Sequence, residues 1–150
     1  MIGTGRNTAR LTAPAGMTYL DLDVTSDESV ASVVKQVIER FGQIDVLVNN
    51  AGVGATGAAE EFSVARTQDI FDINVYGVMR MTKAVLPHMR AQRRGRIVNV
   101  SSLSGFVPSP FMAIYVQLVG MHGNCEQESC GGVATACRAP SQVRVVAFEK

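Results

Sequence analysis

Four polar stretches of this sequence carry groups able to do chemistry: Asp23, the run Asn49-Asn50-Ala51-Gly52, the pair Ser101-Ser102, and Tyr115. The first three each close a short apolar run, and Tyr115 lies in the loop after the last of them. Together they offer a carboxylate, carboxamides, aliphatic hydroxyls and a phenol, groups that hydrogen-bond a ligand and pass protons when held within reach of it. Taken singly, each has a plain structural role. Asp23 and Ser102 suit turns or helix caps, and Tyr115 suits a half-buried aromatic position. Their meaning depends on whether the chain gathers them in one place.

The elements between them are legible from periodicity. Met17 to Val24 is rich in strand formers and reads as a strand ending on Asp23. Thr25 then opens a capping box with Glu28, and Val30, Val33, Val34, Val37, Ile38 and Phe41 follow at helical spacing up to a stop at Gly42. Ile44 to Val48 reads as a strand buried on both faces. After a small-residue, glycine-rich loop over 53–62, Ser63 caps a long helix carrying Ile70, Phe71, Ile73, Val78, Met81, Val85 and Met89, expected to run to about Arg90 with Pro87 inside it. Gly95 leads into Arg96 to Ser102, a further buried strand. Strand and helix alternate throughout, which predicts an α/β fold: a Rossmann-like, doubly wound parallel sheet. In such a sheet the ligand lies outside the carboxyl ends of the strands, where the polar stretches stand.

The pattern ends after Tyr115. From Val116 to Pro140 no period is sustained, lysine is absent, and all three cysteines and four glycines are concentrated. A shifted reading frame would account for residues 116–141. Val143, Val145, Val146 and Phe148 then suggest one more strand within 142–150.

A chain of 150 residues, 47% hydrophobic and 18% charged, has the composition of one soluble globular domain. Its 14 basic and 13 acidic residues give a net charge of +1 with no like-charged block beyond Arg93-Arg94-Gly95-Arg96, so neither a nucleic-acid nor a membrane partner is expected. No apolar run reaches the length of a membrane span, and Met1 to Arg10 lacks a signal-peptide core, which sets a cytoplasmic expectation. Cys125, Cys130 and Cys137, with His122 nearby, match neither a disulfide framework nor a CxxC site, and no metal is expected.

Over residues 1–115 the chain resembles the short-chain dehydrogenase/reductase family of the classical type. Asn49-Asn50-Ala51-Gly52 is that family's NNAG signature, Asp23-Val24 resembles its adenine-binding acidic position, and Asn74 in Phe71-Asp72-Ile73-Asn74-Val75 matches its helix asparagine. Ser102 matches its catalytic serine, with Tyr115 thirteen residues later as the family requires. The resemblance implies hydride transfer between a nicotinamide dinucleotide and a small carbonyl or alcohol substrate. Tyr115 is then the general acid or base, Ser102 polarises the substrate oxygen, and Asn74 holds a proton-relaying water. Thr4, Arg6, Asp23, Val24, Asn50, Ala51, Gly52 and Tyr115 are the expected cofactor contacts. Gly3-Thr4-Gly5-Arg6-Asn7 resembles the end of the family's second strand, where threonine and arginine suit a 2′-phosphate, so NADP(H) is expected rather than NAD(H). The long helix commonly forms the family's oligomer interface, which implies a homo-oligomer.

Three departures temper the resemblance. The family's first strand and glycine-rich turn are not found, the lysine four residues after the tyrosine is Val119, and later strands are absent. The sheet is therefore expected to be incomplete, with apolar edges open in mid-sheet, weak dinucleotide binding and poor folding. Without the lysine, Tyr115 is a poorer base near neutral pH. The alternative reading is a catalytically dead fragment that binds only nucleotide or a family partner.

Overall fold

The computed structural model describes residues 1–102, 104, 111, 112, 114 and 115 and the strand 145–148. Val119, His122 and the three cysteines lie outside these residues.

The strands are β1 (Ile2–Gly5), β2 (Thr18–Asp21), β3 (Val46–Asn49), β4 (Arg96–Asn99) and β5 (Val145–Phe148). They form one sheet in the order β2-β1-β5-β3-β4, every described pairing being parallel. This is the doubly wound arrangement predicted, with one correction. The place between β1 and β3, expected to leave open edges, is taken by β5, which pairs Thr4 with Phe148 on one side and Val48 with Ala147 on the other. β1 and β3 are thereby each paired with a strand on both sides.

Helix α1 (Asp27–Phe41) begins one residue later than the capping-box reading implies. Ser26, not Thr25, is the N-cap, its hydroxyl accepting from the Ser29 amide at 3.2 Å. Thr25 is already engaged, since its amide and hydroxyl both donate to Asp23 Oδ1, at 2.9 and 2.7 Å. Asp27 and Glu28 in the first turn and Arg40 in the last complement the helix dipole. Gly42 ends the helix at φ +76°, a left-handed conformation that glycine adopts without strain, and its amide bonds the Ile38 carbonyl at 2.8 Å.

The second predicted helix is three pieces in line. Ser63 caps α2 (Val64–Phe71) by accepting from the Arg66 amide at 3.1 Å, a π-turn follows at Asp72–Tyr76, and α3 (Gly77–Ala91) continues past Pro87 to Ala91. The π-turn inserts one extra residue into the helical register and turns Asn74 toward the loop after β3.

Helices α1 and α3 pack on one face of the sheet. Val30, Val33, Val34 and Val37 of α1 and Met81, Val85 and Met89 of α3 bury Ile2, Leu20, Leu22, Ile44 and Leu47 in one cluster. Leu47 has no exposed surface, and full burial of such a side chain contributes about 1.5–3 kcal/mol. The opposite face corrects the expectation of strands buried on both sides. Val46 and Val48 are half-buried, and Val98 is 43% exposed. Strand side chains alternate between faces, and among the described residues both long helices lie on the same one.

Candidate functional site

The order of the sheet reverses at β5, with β1 and β2 on one side and β3 and β4 on the other. Segments leaving the carboxyl ends of β1 and β3 diverge there and leave a crevice. A cavity of about 380 Å³ occupies it, lined by Thr4 and Gly5 at the end of β1 and Arg6 just beyond it, Leu22, Asp23 and Val24 after β2, Ala51 to Gly54 after β3, and Ile73 of the π-turn. Six expected cofactor contacts therefore meet in one place: Thr4, Arg6, Asp23, Val24, Ala51 and Gly52. Asn50 is exposed and is not part of this lining. Gly5, Leu22, Val53, Gly54 and Ile73 also line it, and all but Gly54 adjoin residues expected at the site.

Each wall is fixed by its own hydrogen bonds. The Asp23 amide donates to Ser29 Oγ at 3.0 Å, tying the β2–α1 loop to the first turn of the helix. Hydrogen bonds from the Thr25 hydroxyl and amide hold the Asp23 carboxyl below its ordinary range, with smaller help from the charges of Arg6 and Arg80. Asp23 therefore stands as an anion at the cavity wall. Val24 packs where α3 begins, and only a glycine at 77 permits this. A Cβ there would lie 2.8 Å from Val24 Cγ2.

Asn74 holds the opposite wall. It is buried, its Oδ1 accepts from the Val53 amide at 2.8 Å, and its Nδ2 donates to the Val53 carbonyl at 2.9 Å. A side-chain amide thus pairs with both polar groups of one backbone residue and fixes the path of Ala51-Gly52-Val53. Asn49, the first residue of the NNAG run, has a scaffold role. It is buried and donates to Asn99 Oδ1 at 2.8 Å, joining β3 to β4.

The floor has one polar atom without a partner. Thr4 is 1% exposed, and its hydroxyl has no hydrogen-bond partner among the described residues. A buried hydroxyl left unpaired costs about 1–3 kcal/mol. The exposed guanidinium of Arg6 stands at the same cavity.

The remaining expected residues lie along the neighbouring segments. Ser102 is half-buried, and its hydroxyl accepts from the Ser104 amide and pairs with the Ser104 hydroxyl, both at 3.3 Å. Tyr115 is half-buried and packs with Ile114, Val53, Phe62, Phe71 and Val75 around Ala55 and Ile70. That cluster shares Val53 with the cavity, and the Gly57 amide donates to the Phe111 carbonyl at 2.8 Å, attaching the approach to Tyr115 to the same loop. Among the described residues no cluster of His, Cys, Asp or Glu is able to hold a metal ion, and no helix is long and apolar enough to cross a membrane.

Comparison with known proteins agrees with this geometry. The sequence profile described as short chain dehydrogenase matches residues 5–117. The chain is 48% identical to retinol dehydrogenase 8 of Bos taurus over 99 residues, which are 66% of this chain and 31% of that protein. It is 44% identical to a 3-ketodihydrosphingosine reductase of Bacteroides thetaiotaomicron over 96 residues, 64% of this chain and 36% of that one. The chain thus spans about a third of the length of these relatives. Among solved structures, a short-chain dehydrogenase from Streptomyces avermitilis superposes with a TM-score of 0.79 at 31% identity, covering 99% of this chain and 62% of that one. An NAD+-bound xylitol dehydrogenase matches with a TM-score of 0.68 at 36% identity over 73% of this chain and 43% of its own. A serine dehydrogenase complexed with NADP+ matches with a TM-score of 0.73 at 27% identity over 83% of this chain and 53% of its own.

Proposed function

Because the chain belongs to the short-chain dehydrogenase family, whose profile matches residues 5–117, we propose that it is the nucleotide-binding part of an oxidoreductase that uses NADP(H) rather than NAD(H) and acts on a small alcohol or carbonyl compound. Solved relatives hold either dinucleotide, so the choice rests on this chain's own residues. The observation that carries it is the exposed Arg6 among the residues that line the cavity, two residues beyond Thr4. A 2′-phosphate offers its anion to the Arg6 guanidinium. The carboxylate that lines the cavity just beyond β2 is Asp23, whose neighbour Val24 supplies an apolar contact for a base; Ala51 and Gly52 form the other wall.

The bound dinucleotide supplies or takes the hydride. The chain's own residues do the rest in this reading. Tyr115 exchanges a proton with the substrate oxygen, and Ser102 hydrogen-bonds that oxygen. Asn74 keeps one N–H and one lone pair beyond its two bonds to Val53, enough to hold a water in a proton relay. Val119 stands where the family resemblance calls for a lysine, so in this reading turnover is slow near neutral pH. One relative is named for an alcohol, retinol, and another for a ketone, and the reading gives this chain the same kind of interconversion.

Calorimetric titration of the full chain with NADPH and with NADH tests the cofactor choice. NADPH should bind more tightly by about 10- to 150-fold, the equivalent of about 1.5–3 kcal/mol for a hydrogen bond to a charged group. Arg6→Ala should remove most of that difference while leaving NADH affinity nearly unchanged. Equal affinities in the wild type, or a preference that survives Arg6→Ala, would show that Arg6 does not read the phosphate.

A further inference from the structure

The two walls of the cavity come from distant parts of the chain, the β2–α1 loop and the loop after β3, and one side chain of α3 touches the supports of both. Arg80 donates from Nη2 to Asp72 Oδ1 at 2.7 Å and from Nη1 to the Asp72 carbonyl at 3.4 Å. The same Nη1 reaches the carbonyl of Val24 at 3.3 Å, and Nε lies 3.1 Å from Asp27 Oδ1 at the start of α1. Arg80 itself is 24% exposed. The Asp27 carboxyl is 88% exposed, so that pair is screened and contributes little; the contacts to Asp72 and Val24 are the sheltered ones.

Asp72 opens the π-turn. Its carbonyl also accepts the Gly77 amide, the wide bond that closes this turn, and two residues on stands Asn74, clamped to Val53. A π-turn is intrinsically less favourable than continued α-helix and persists where side chains hold it. From Arg80 one branch therefore runs through Asp72 and Asn74 to Val53, and the other directly to Val24. Val24 and Val53 both line the cavity. We propose that Arg80 is a positioning residue that sets the separation of the two cavity walls and, given the dinucleotide reading, the fit of the nucleotide between them.

Lysine does not replace it. One compact ammonium cannot engage the Asp72 carboxylate and the Val24 carbonyl with the spread geometry of a planar guanidinium. Methionine keeps the aliphatic stem and removes every polar contact.

Amide hydrogen exchange on the full chain separates positioning from simple stabilisation. The Val53 amide reports the Asn74 clamp, the Thr25 amide reports the Asp23 loop, and the Val33 and Val37 amides in α1 report global opening. In Arg80→Met, Val53 and Thr25 should exchange about tenfold faster relative to Val33 and Val37, the change expected from losing a hydrogen bond to a charged group. Arg80→Lys, which retains a charge against Asp72, should loosen Thr25 while Val53 stays close to wild type. NADPH affinity should fall in the order wild type, Arg80→Lys, Arg80→Met. Uniform acceleration at all four amides, or no change at Val53 and Thr25, would overturn the proposal. So would a lysine variant indistinguishable from wild type. If the exchange pattern holds but the wild type binds no NADPH, the positioning role stands and the dinucleotide reading falls.

Discussion

Replacing Asn74 by aspartate changes one atom of a buried clamp and should produce a protein that is restored by acid. Nδ2 donates to the Val53 carbonyl at 2.9 Å, and Oδ1 accepts from the Val53 amide at 2.8 Å. In Asn74→Asp the acceptor survives, but the donor becomes a carboxylate oxygen facing a carbonyl oxygen. The lost bond and the unsatisfied buried acceptor cost about 1–3 kcal/mol. At about 2–4 °C per kcal/mol for a chain of this size, Tm should fall by about 2–12 °C near neutral pH. Protonation supplies an O–H that donates to the Val53 carbonyl again. The folded state thus favours the neutral carboxyl, and its pKa lies above the value near 3.9 of the unfolded chain. The folded variant binds more protons than the unfolded one between those two values, so its deficit is largest above the folded pKa and shrinks as pH falls through it. The assay is thermal unfolding of wild type, Asn74→Asp and Asn74→Leu from about pH 7.5 to about pH 4.5, taken as differences from wild type. Differences matter because Asp21 and Asp23 have lowered pKa values in the fold, so the wild type itself loses stability as pH falls through them. The leucine variant has no titrating group and should keep a constant deficit. An Asn74→Asp deficit that is flat or grows on acidification would show that the side chain does not face the Val53 carbonyl.

Two further outcomes follow from the site. Thr25→Val removes the hydroxyl that donates to Asp23 and should raise the Asp23 pKa toward the ordinary carboxylate range, as read by carbon NMR titration of its side chain; an unmoved pKa would show that the Thr25 hydroxyl bond is not what lowers it. Val119→Lys should raise turnover with NADPH and a panel of small aldehydes and ketones at neutral pH, and adding Tyr115→Phe should abolish the gain; a gain that persists without the phenol would remove Tyr115 from the proton-transfer role.

Much of the architecture is local in origin and was therefore legible in the sequence. The α1 stripe of Val30, Val33, Val34 and Val37 is a 3.6-residue period, Gly42 is a left-handed stop, and β3 and β4 lie in the apolar, β-branched runs that fit a pleated surface, whereas β1, Ile2-Gly3-Thr4-Gly5, carries no such run. Alternation of strand and helix then implied the parallel sheet, the strand-end rule pointed to Asp23, Ala51 and Gly52, and the family resemblance added Thr4, Arg6 and Val24, all of which line one cavity. Small displacements between reading and structure have equally local causes. Thr25 and Ser26 are both good caps in isolation, and the choice fell to Ser26 because Asp23 captures Thr25.

Tertiary structure alone decided the rest. Residues 142–150 suggest a strand from their own composition, but a strand of four residues carries no information about which neighbours it pairs with; its seat between β1 and β3 is a long-range pairing. Burial on one face rather than two depends on where the helices pack, which the apolar content of Val46, Val48 and Val98 does not reveal. The π-turn is invisible to a periodicity argument, because one extra residue in a long helix merely shifts the stripe. Arg80 reads in sequence as a cation on a helix, and only the fold brings it within reach of Asp72 and Val24 together. Local patterns specify elements because they act over one or two turns of chain, whereas a cavity wall is set by contacts between residues far apart in sequence, whose cost in chain entropy is met only once the whole sheet has formed.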